Sequence, residues 1–584
     1  MAKRKLFDVS TERHVAMKMR DGVELRADIH RPNVSDPLPV LLIRLPYDKS
    51  AAEFQAYQLP EWYARHGYIV VSQDTRGRFL SGGNFRPFHH EAEDGVDTIE
   101  HCARLPQSNG MVGMYGFSYA GQTQLQPAIH RPKGLAAMAP AFTADGMYED
   151  WNYKNGALHL AFVQWWASYL AIGEASRKGS DSDIRAAMDR FMGICQRHDW
   201  LPLGEHPSLP KKLSPFYEEW LRHPTFDAYW RAWSIAHRYA EIDVPALHIA
   251  GWYDIFIDGN IRNFSGLAEG AHSAQSRRAQ KLVIGPWYHL PWAQHTGQLD
   301  FGEAGQNHMD ELMIRWFDFW LKGRKNGIMK EHRVSLFVMG ANRWRHANNW
   351  PLKRTRFTKF YFHSEGRANS LNGDGSLSTR RPGNEPHDIF VSDPSYPVPS
   401  MGGQSCCLPE FMGPHDQRQI EVRNDVLIYT SAPLVRDVDV IGPIDVTLHA
   451  ASSAEDTDFT VKLVDVHPDG PAINLVDSIQ RASFRGGNEN PQAIKPDEVY
   501  SYSFRVGNTA NRFKKGHCIR VEVASSNFPI FERNLNRFMP VGEEGGGGGG
   551  GRYGGYRDMR VARQRLFHDA ARPSHITLPF VPLR

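Results

Sequence analysis

Six short, almost wholly apolar runs constrain this chain more than any other feature of its sequence. They are Leu38 to Arg44, Tyr68 to Val71, Met111 to Tyr115, Leu135 to Ala139, Ala246 to Ala250 and Lys281 to Ile284. A run of this length that lacks alternation suits a strand covered on both faces, as in a parallel sheet. Helix-like stretches lie between them: Glu53 to His66, Glu91 to Arg104, Tyr119 to His130 and Asn260 to Glu269. Strand and helix in alternation imply an α/β sheet with right-handed crossovers. Ahead of them, apolar residues alternate on both sides of Asp21-Gly22, from Val15 to Met19 and from Val23 to Ile29, which predicts a β-hairpin.

The alternation stops between residues 145 and 240. That stretch is helical in pattern and rich in tryptophan, with Trp151, Trp165, Trp166, Trp200, Trp220, Trp230 and Trp233. Inserted between two strands of a sheet, it reads as a helical cap, although aromatics at helical spacing equally make a simple core. An amphipathic helix follows over Met309 to Lys322. From residue 353 onward short alternating strands dominate: Lys359 to His363, Asp445 to Ala450, Thr457 to Val466, Tyr500 to Val506 and Cys518 to Ala524. Such strands between Gly, Pro and Asn turns predict a β-sandwich of jelly-roll type. The expected division is residues 1–144 with 241–352, a cap over 145–240, and an all-β domain over 353–584.

Composition removes several alternatives. Among 584 residues, 41% are hydrophobic and 23% charged, which suits a globular chain rather than a disordered one. A formal net charge of +3 on so long a chain supplies no drive toward nucleic acid or a membrane surface. No apolar run approaches the roughly 20 residues of a membrane span. The basic N-terminus has no apolar core behind it, so it does not read as a secretory signal. Five cysteines argue against a disulfide scaffold and fit a reducing, cytoplasmic setting. No His-Glu-x-x-His or Cys-x-x-Cys occurs, so neither metal nor cofactor is called for. The run Gly545 to Gly551 lacks the Lys-Ser/Thr of a phosphate loop.

Chemistry concentrates at Gly113-Met114-Tyr115-Gly116-Phe117-Ser118-Tyr119-Ala120-Gly121. A buried strand enters Gly116-x-Ser118 and a helix leaves it, the setting of a nucleophile elbow. The turn needs small neighbours, and Ala120 stands where many hydrolases have Gly. A serine nucleophile requires a base and an acid that orients the base. In such a fold they follow later strands in the order Ser, Asp, His. Asp254 follows the run ending at Ala250, and His289 follows the run ending at Ile284. That position after a strand distinguishes His289 from His295 and His308.

Together with Arg44-Leu45-Pro46-Tyr47-Asp48-Lys49, Gln73-Asp74-Thr75-Arg76-Gly77-Arg78, Glu93-Asp94-Gly95-Val96-Asp97-Thr98, Gly251-Trp252-Tyr253-Asp254, Gly285-Pro286-Trp287-Tyr288-His289 and Ser525-Ser526-Asn527-Phe528-Pro529, the elbow makes the chain resemble the cocaine esterase-like family of α/β hydrolases. That group is related to X-prolyl dipeptidyl aminopeptidases, cephalosporin acylases and α-amino acid ester hydrolases. The resemblance implies an α/β hydrolase fold with an inserted helical cap and a C-terminal all-β jelly roll. It also implies that the phenol of Tyr47 and the backbone N–H of Tyr119 form the oxyanion hole. Trp151, Trp166 and Phe256 fall where relatives line an aromatic acyl pocket, a placement that core packing would explain as well. One departure concerns specificity. Where α-amino acid ester hydrolases carry acidic residues for the substrate ammonium, this chain has Phe256 and Ile257.

The expectation is therefore a serine hydrolase of small-molecule carboxylic esters, acting through an acyl-enzyme. An amide-cleaving relative, acylase or X-prolyl dipeptidyl aminopeptidase, is the alternative within the class. A nucleic-acid or interaction protein is the remote one, resting on the Arg/Gly/Tyr segment near Arg552. The sequence leaves a homo-oligomer open.

Overall fold

The computed structural model describes residues 6–50, 56–541 and 558–583. The glycine run and the Arg552 segment lie outside them. The N-terminal half is built on a ten-stranded sheet. In spatial order its strands are Val9–Lys18, Glu24–Pro32, Ile69–Asp74, Leu38–Leu45, Ser108–Phe117, Leu135–Ala141, Ala246–Gly251, Gln280–Gly285, Val334–Val338 and Arg343–Ala347. From Ile69–Asp74 to Val334–Val338 all neighbours are parallel, and the expected hairpin adds an antiparallel edge.

Burial on both faces explains why these strands read as unbroken apolar runs. Leu41, Ile43, Tyr115, Ala137 and Ile249 pack on one side against Trp316, Phe317 and Leu321 of the helix Met309–Lys322. Their chain neighbours Val40, Leu42, Val112, Met114 and Met138 face the other way. They meet Ile99 and Cys102 of the helix Glu91–Ala103, Leu125 of Tyr119–Ala128 and Leu267 of Ile257–Gly270. Side chains alternate across a strand, so two covered faces favour apolar residues at successive positions, and polar exceptions such as Arg44, Gln73 and Asp74 are buried with partners.

One expected helix is shorter than its pattern. Only Pro60–Arg65 of Glu53 to His66 is helical among the described residues, and Pro60 opens it. The residue before a proline is driven out of the helical region, so the helix cannot extend backward through Leu59. Two strands at the far edge, Val334–Val338 and Arg343–Ala347, were not apparent from the sequence.

Between Leu135–Ala141 and Ala246–Gly251 the chain forms the helices Leu160–Lys178, Asp181–Met192, Pro215–Leu221 and Ala228–Arg231. Trp151, Trp166, Trp220 and Trp230 are buried among them, and Trp166 stacks on Trp220 with ring centres 5.3 Å apart. The C-terminal half is an eleven-stranded, largely antiparallel assembly. A single apolar cluster joins it to the α/β sheet, with Trp252, Leu336 and Phe337 packed alongside Ile444, Val476 and Val506. A disulfide links Cys406 to its chain neighbour Cys407, so it ties no separate elements together.

A buried ion pair fixes the loop that leaves the central strand Leu38–Leu45. Asp74, at the end of the adjacent strand, accepts from the Lys49 backbone N–H at 2.8 Å and from Lys49 Nζ at 3.0 Å. Burial pushes the Asp74 carboxyl up to about 6 in spite of its ammonium partner. Removing one partner of such a pair strands the other charge and costs about 3–5 kcal/mol. Lys49→Met is accordingly expected to lower the urea-unfolding midpoint sharply, and Lys49→Met/Asp74→Asn to recover part of the loss. A single variant as stable as wild type would remove the pair from this role.

Candidate active site

At the end of the strand Ser108–Phe117 the backbone turns abruptly into the helix Tyr119–Ala128. Ser118 sits at the turn with φ 61° and ψ −123°, in a region that L residues rarely occupy. Its N–H donates to the Ala141 carbonyl at 2.9 Å, which ties the turn to the next strand. The small neighbours are a steric necessity. Gly116 has φ 136°, and a Cβ there would stand 2.6 Å from the Ala120 Cβ. A Cβ on Gly121 would stand 2.6 Å from the side chain of Thr143. The Ala120 methyl thus occupies the space that a side chain at Gly116 would need.

The two other expected members meet after later strands. His289 Nδ1 lies 2.8 Å from Asp254 Oδ1. Asp254 is 0% exposed, His289 2% and Ser118 7%. Burial raises the Asp254 carboxyl and the nearby imidazole opposes that rise. The His289 ring is wedged among Phe117, Phe142 and Phe256, while its carbonyl accepts from Trp292 Nε1 at 2.8 Å. These contacts restrict rotation of the imidazole and hold Nδ1 toward the carboxylate.

Tyr47 projects from the loop after Leu38–Leu45. Its phenol oxygen accepts a hydrogen bond from Trp166 Nε1 at 2.9 Å, reaching down from the helix Leu160–Lys178. Because the indole can only donate, the phenol proton is left to point elsewhere. Burial pushes the Tyr47 phenol well above its usual range, with Trp166, Arg78 and Ser118 opposing, so it stays a protonated donor at neutral pH. Arg78 braces this loop from below, donating to the Pro46 carbonyl at 2.8 Å and to the Leu170 carbonyl at 3.1 Å. Burial lowers its guanidinium to about 10. Tyr119 opens its helix, where the first N–H groups have no intrahelical acceptor. Its phenol is directed away, donating to Glu91 at 2.7 Å and accepting from the Phe88 N–H at 2.9 Å.

Ser118, His289 and Tyr47 face one cavity of about 360 Å³. Phe117, Phe162, Trp165, Trp166, Tyr169, Leu290, Cys406 and Cys407 complete its wall. Of the three aromatics expected to line a pocket, only Trp166 does so. Trp151 and Phe256 are fully buried and stack on each other with ring centres 4.4 Å apart. They form a layer behind Phe162 and Trp166, because the helix Leu160–Lys178 inserts those two rings in front. Phe162, Trp165 and Tyr169 were missed, although with Trp166 they repeat at the three- and four-residue steps of one helix face. Cys406 and Cys407 carried no such signal, since they arrive from the C-terminal half.

The Asp254 loop also depends on that half. Ser405 bridges Asp254 through the backbone, Gln404 Nε2 donates to the Trp252 carbonyl at 2.8 Å, and the Tyr253 phenol donates to the Asn474 carbonyl at 3.1 Å. Asn508 holds Asp258 on the following helix at 2.6 Å.

The arrangement can be set beside known proteins. The family model described as X-Pro dipeptidyl-peptidase (S15 family) matches residues 21–291. The one described as the X-Pro dipeptidyl-peptidase C-terminal non-catalytic domain matches residues 326–577. The chain is 36% identical to the cocaine esterase of Rhodococcus sp. (strain MB1 Bresler), over 98% of this chain and 99% of that one. Among solved structures it resembles an aminopeptidase from the marine sediment archaeon Thaumarchaeota archaeon, with a TM-score of 0.81 at 26% identity over 100% and 98% of the two chains. It also resembles an α-amino acid ester hydrolase, with a TM-score of 0.78 at 25% identity and the same coverage.

Proposed function

Because the chain belongs to the cocaine esterase-like family of α/β hydrolases, we propose that it cleaves small-molecule carboxylic esters through a Ser118–His289–Asp254 triad. One observation carries this reading: a strained serine and a carboxylate-bound imidazole, brought from separate strands, open on the same cavity. Ser118 attacks the ester carbonyl while His289 takes its proton. The imidazole then returns the proton to the leaving alkoxide, and water repeats the cycle on the acyl-enzyme. Asp254 holds the tautomer and orientation of the ring. The Tyr47 phenol and the Tyr119 N–H receive the developing oxyanion, where fixed donors act more strongly than in water. Trp166 forms the aromatic wall and also orients the Tyr47 phenol, with Trp151 and Phe256 backing that wall. The inserted helices serve as the cap over residues 145–240, and the C-terminal jelly roll supports the Asp254 loop.

The wall also speaks to substrate. Around Ser118 and His289 it is mainly aromatic, and among the described residues no carboxylate lines it. An ammonium entering such a wall loses hydration without a compensating partner. Neutral acyl esters are therefore expected to turn over faster than α-amino acyl esters or aminoacyl anilides. A panel of p-nitrophenyl esters beside aminoacyl anilides decides this, and a preference for the anilides would favour the amide-cleaving reading suggested by the aminopeptidase likeness.

Ser118→Ala is expected to lower turnover by about four to six orders of magnitude, and an organophosphorus probe to label Ser118 in the wild type. Full activity in the variant would end the triad assignment. Tyr47→Phe is expected to reduce kcat by about two to three orders of magnitude with little change in KM, since the donor acts on charge that develops only in the transition state. Trp166→Phe keeps the ring and removes the indole N–H. Steady-state kinetics should show a smaller fall in kcat with it, again with KM nearly constant. A change confined to KM would leave Trp166 as wall alone.

A further inference from the structure

Away from the cavity, the C-terminal sheet brings together three metal-capable side chains that no sequence spacing announces. Asp465 lies near the end of the strand Asp458–Val466, and His467 begins the turn into Ala472–Arg481. His517 lies in a different turn, between Tyr500–Phe513 and Cys518–Ala524. The strand Asp458–Val466 pairs with a neighbour on each side, Val466 standing opposite both Ala472 and Cys518. The two turns therefore emerge side by side at one end of the sheet.

One donor atom from each of Asp465, His467 and His517 lies within 4.8 Å of the other two. His517 Nδ1 stands 2.7 Å from Asp465 Oδ1, and Asn511 Nδ2 donates to Asp465 Oδ2 at 3.0 Å. The imidazoles of His467 and His517 lie close, with ring centres 4.4 Å apart and planes inclined by 38°. Asp465 is 4% exposed, whereas His467 is half-buried and reachable from solvent. Among the described residues the ring nitrogens of His467 make no hydrogen bond to protein.

We propose that Asp465, His467 and His517 form a binding site for a divalent transition-metal ion of the zinc class. Two imidazole nitrogens and a carboxylate oxygen are donors that zinc accepts, and imidazole ligands disfavour calcium and magnesium. With bonds of about 2.0–2.2 Å, tetrahedral donors stand roughly 3.4 Å apart. The donor atoms, within 4.8 Å of one another and 2.7 Å apart for His517 and Asp465, bracket that spacing. To bind, His517 must carry no proton on the nitrogen that meets the ion, so that its lone pair and the Asp465 carboxylate both face the metal. Asn511 holds the second carboxylate oxygen and thereby orients the ligand. Three protein ligands leave a fourth position for water. The site shares no residue with the cavity at Ser118, so its role is to clamp two neighbouring turns rather than to act on an ester.

The test uses full-length protein freed of metal by a chelator. Titration calorimetry with zinc sulfate at neutral pH should show one equivalent bound, accompanied by a rise in thermal midpoint. His467→Ala and His517→Ala should each weaken zinc binding by at least about tenfold and abolish that rise. Because His467 is partly exposed, His467→Ala keeps the test decisive even where His517→Ala folds poorly. Ester hydrolysis without zinc should be equal in wild type and His467→Ala. No uptake at millimolar zinc, or equal uptake in wild type and His467→Ala, would reduce the cluster to a hydrogen-bonded Asp–His pair.

Discussion

The site rests on the strained backbone of Ser118. A residue at φ 61° persists only where its surroundings over-determine it, and here several constraints act together. The strand Ser108–Phe117 is locked in a sheet buried on both faces. The Ser118 N–H is held by Ala141, and the positions of Gly116 and Gly121 leave no room for a side chain. The result points the hydroxyl away from the sheet, at the end where the parallel strands release their loops. Asp254 and His289 leave from that same end because their strands run in the same direction. Parallelism is thus what allows three residues far apart in sequence to converge.

Convergence alone would not fix their orientation. The loop bearing Asp254 is held by Gln404, Ser405, Asn474 and Asn508, all from the C-terminal half. The loop bearing Tyr47 is held from below by Lys49, Asp74 and Arg78, and from above by Trp166 of the inserted helices. The three parts of this serine hydrolase are therefore mechanically linked through the site. These contacts hold the Tyr47 phenol in one orientation, although a side chain has rotational freedom that a backbone N–H lacks.

Much of this was legible in the chain. Apolar runs without alternation marked the buried strands, and the sequence around Ser118 marked the elbow. Asp254 and His289 could be singled out because they follow runs ending at Ala250 and Ile284. Trp151 and Phe256 show where that legibility stopped. The family resemblance pointed to them as pocket lining, and the structure sets them behind the wall, because depth behind a surface depends on which rings are inserted in front. Cys406 and Cys407 stand on the wall and were not anticipated, since nothing local to them refers to a cavity formed by another part of the chain. Among the described residues of Glu53 to His66 the helix begins only at Pro60, for a different reason: the backbone clash ahead of a proline overrides apolar periodicity.

By itself, then, the sequence determined the order of strands and helices, the strained turn and the types of residue that follow particular strands. These follow from local sterics and from which side chains tolerate burial, properties that a short segment carries with it. Only the tertiary structure decided which aromatic rings touch the cavity, that Trp166 donates to Tyr47, and that Asp465 and His467 meet His517 across neighbouring turns. Each of these is a distance between segments remote in the chain. Such distances are set by packing of the whole core, to which every buried side chain contributes and which no local pattern encodes.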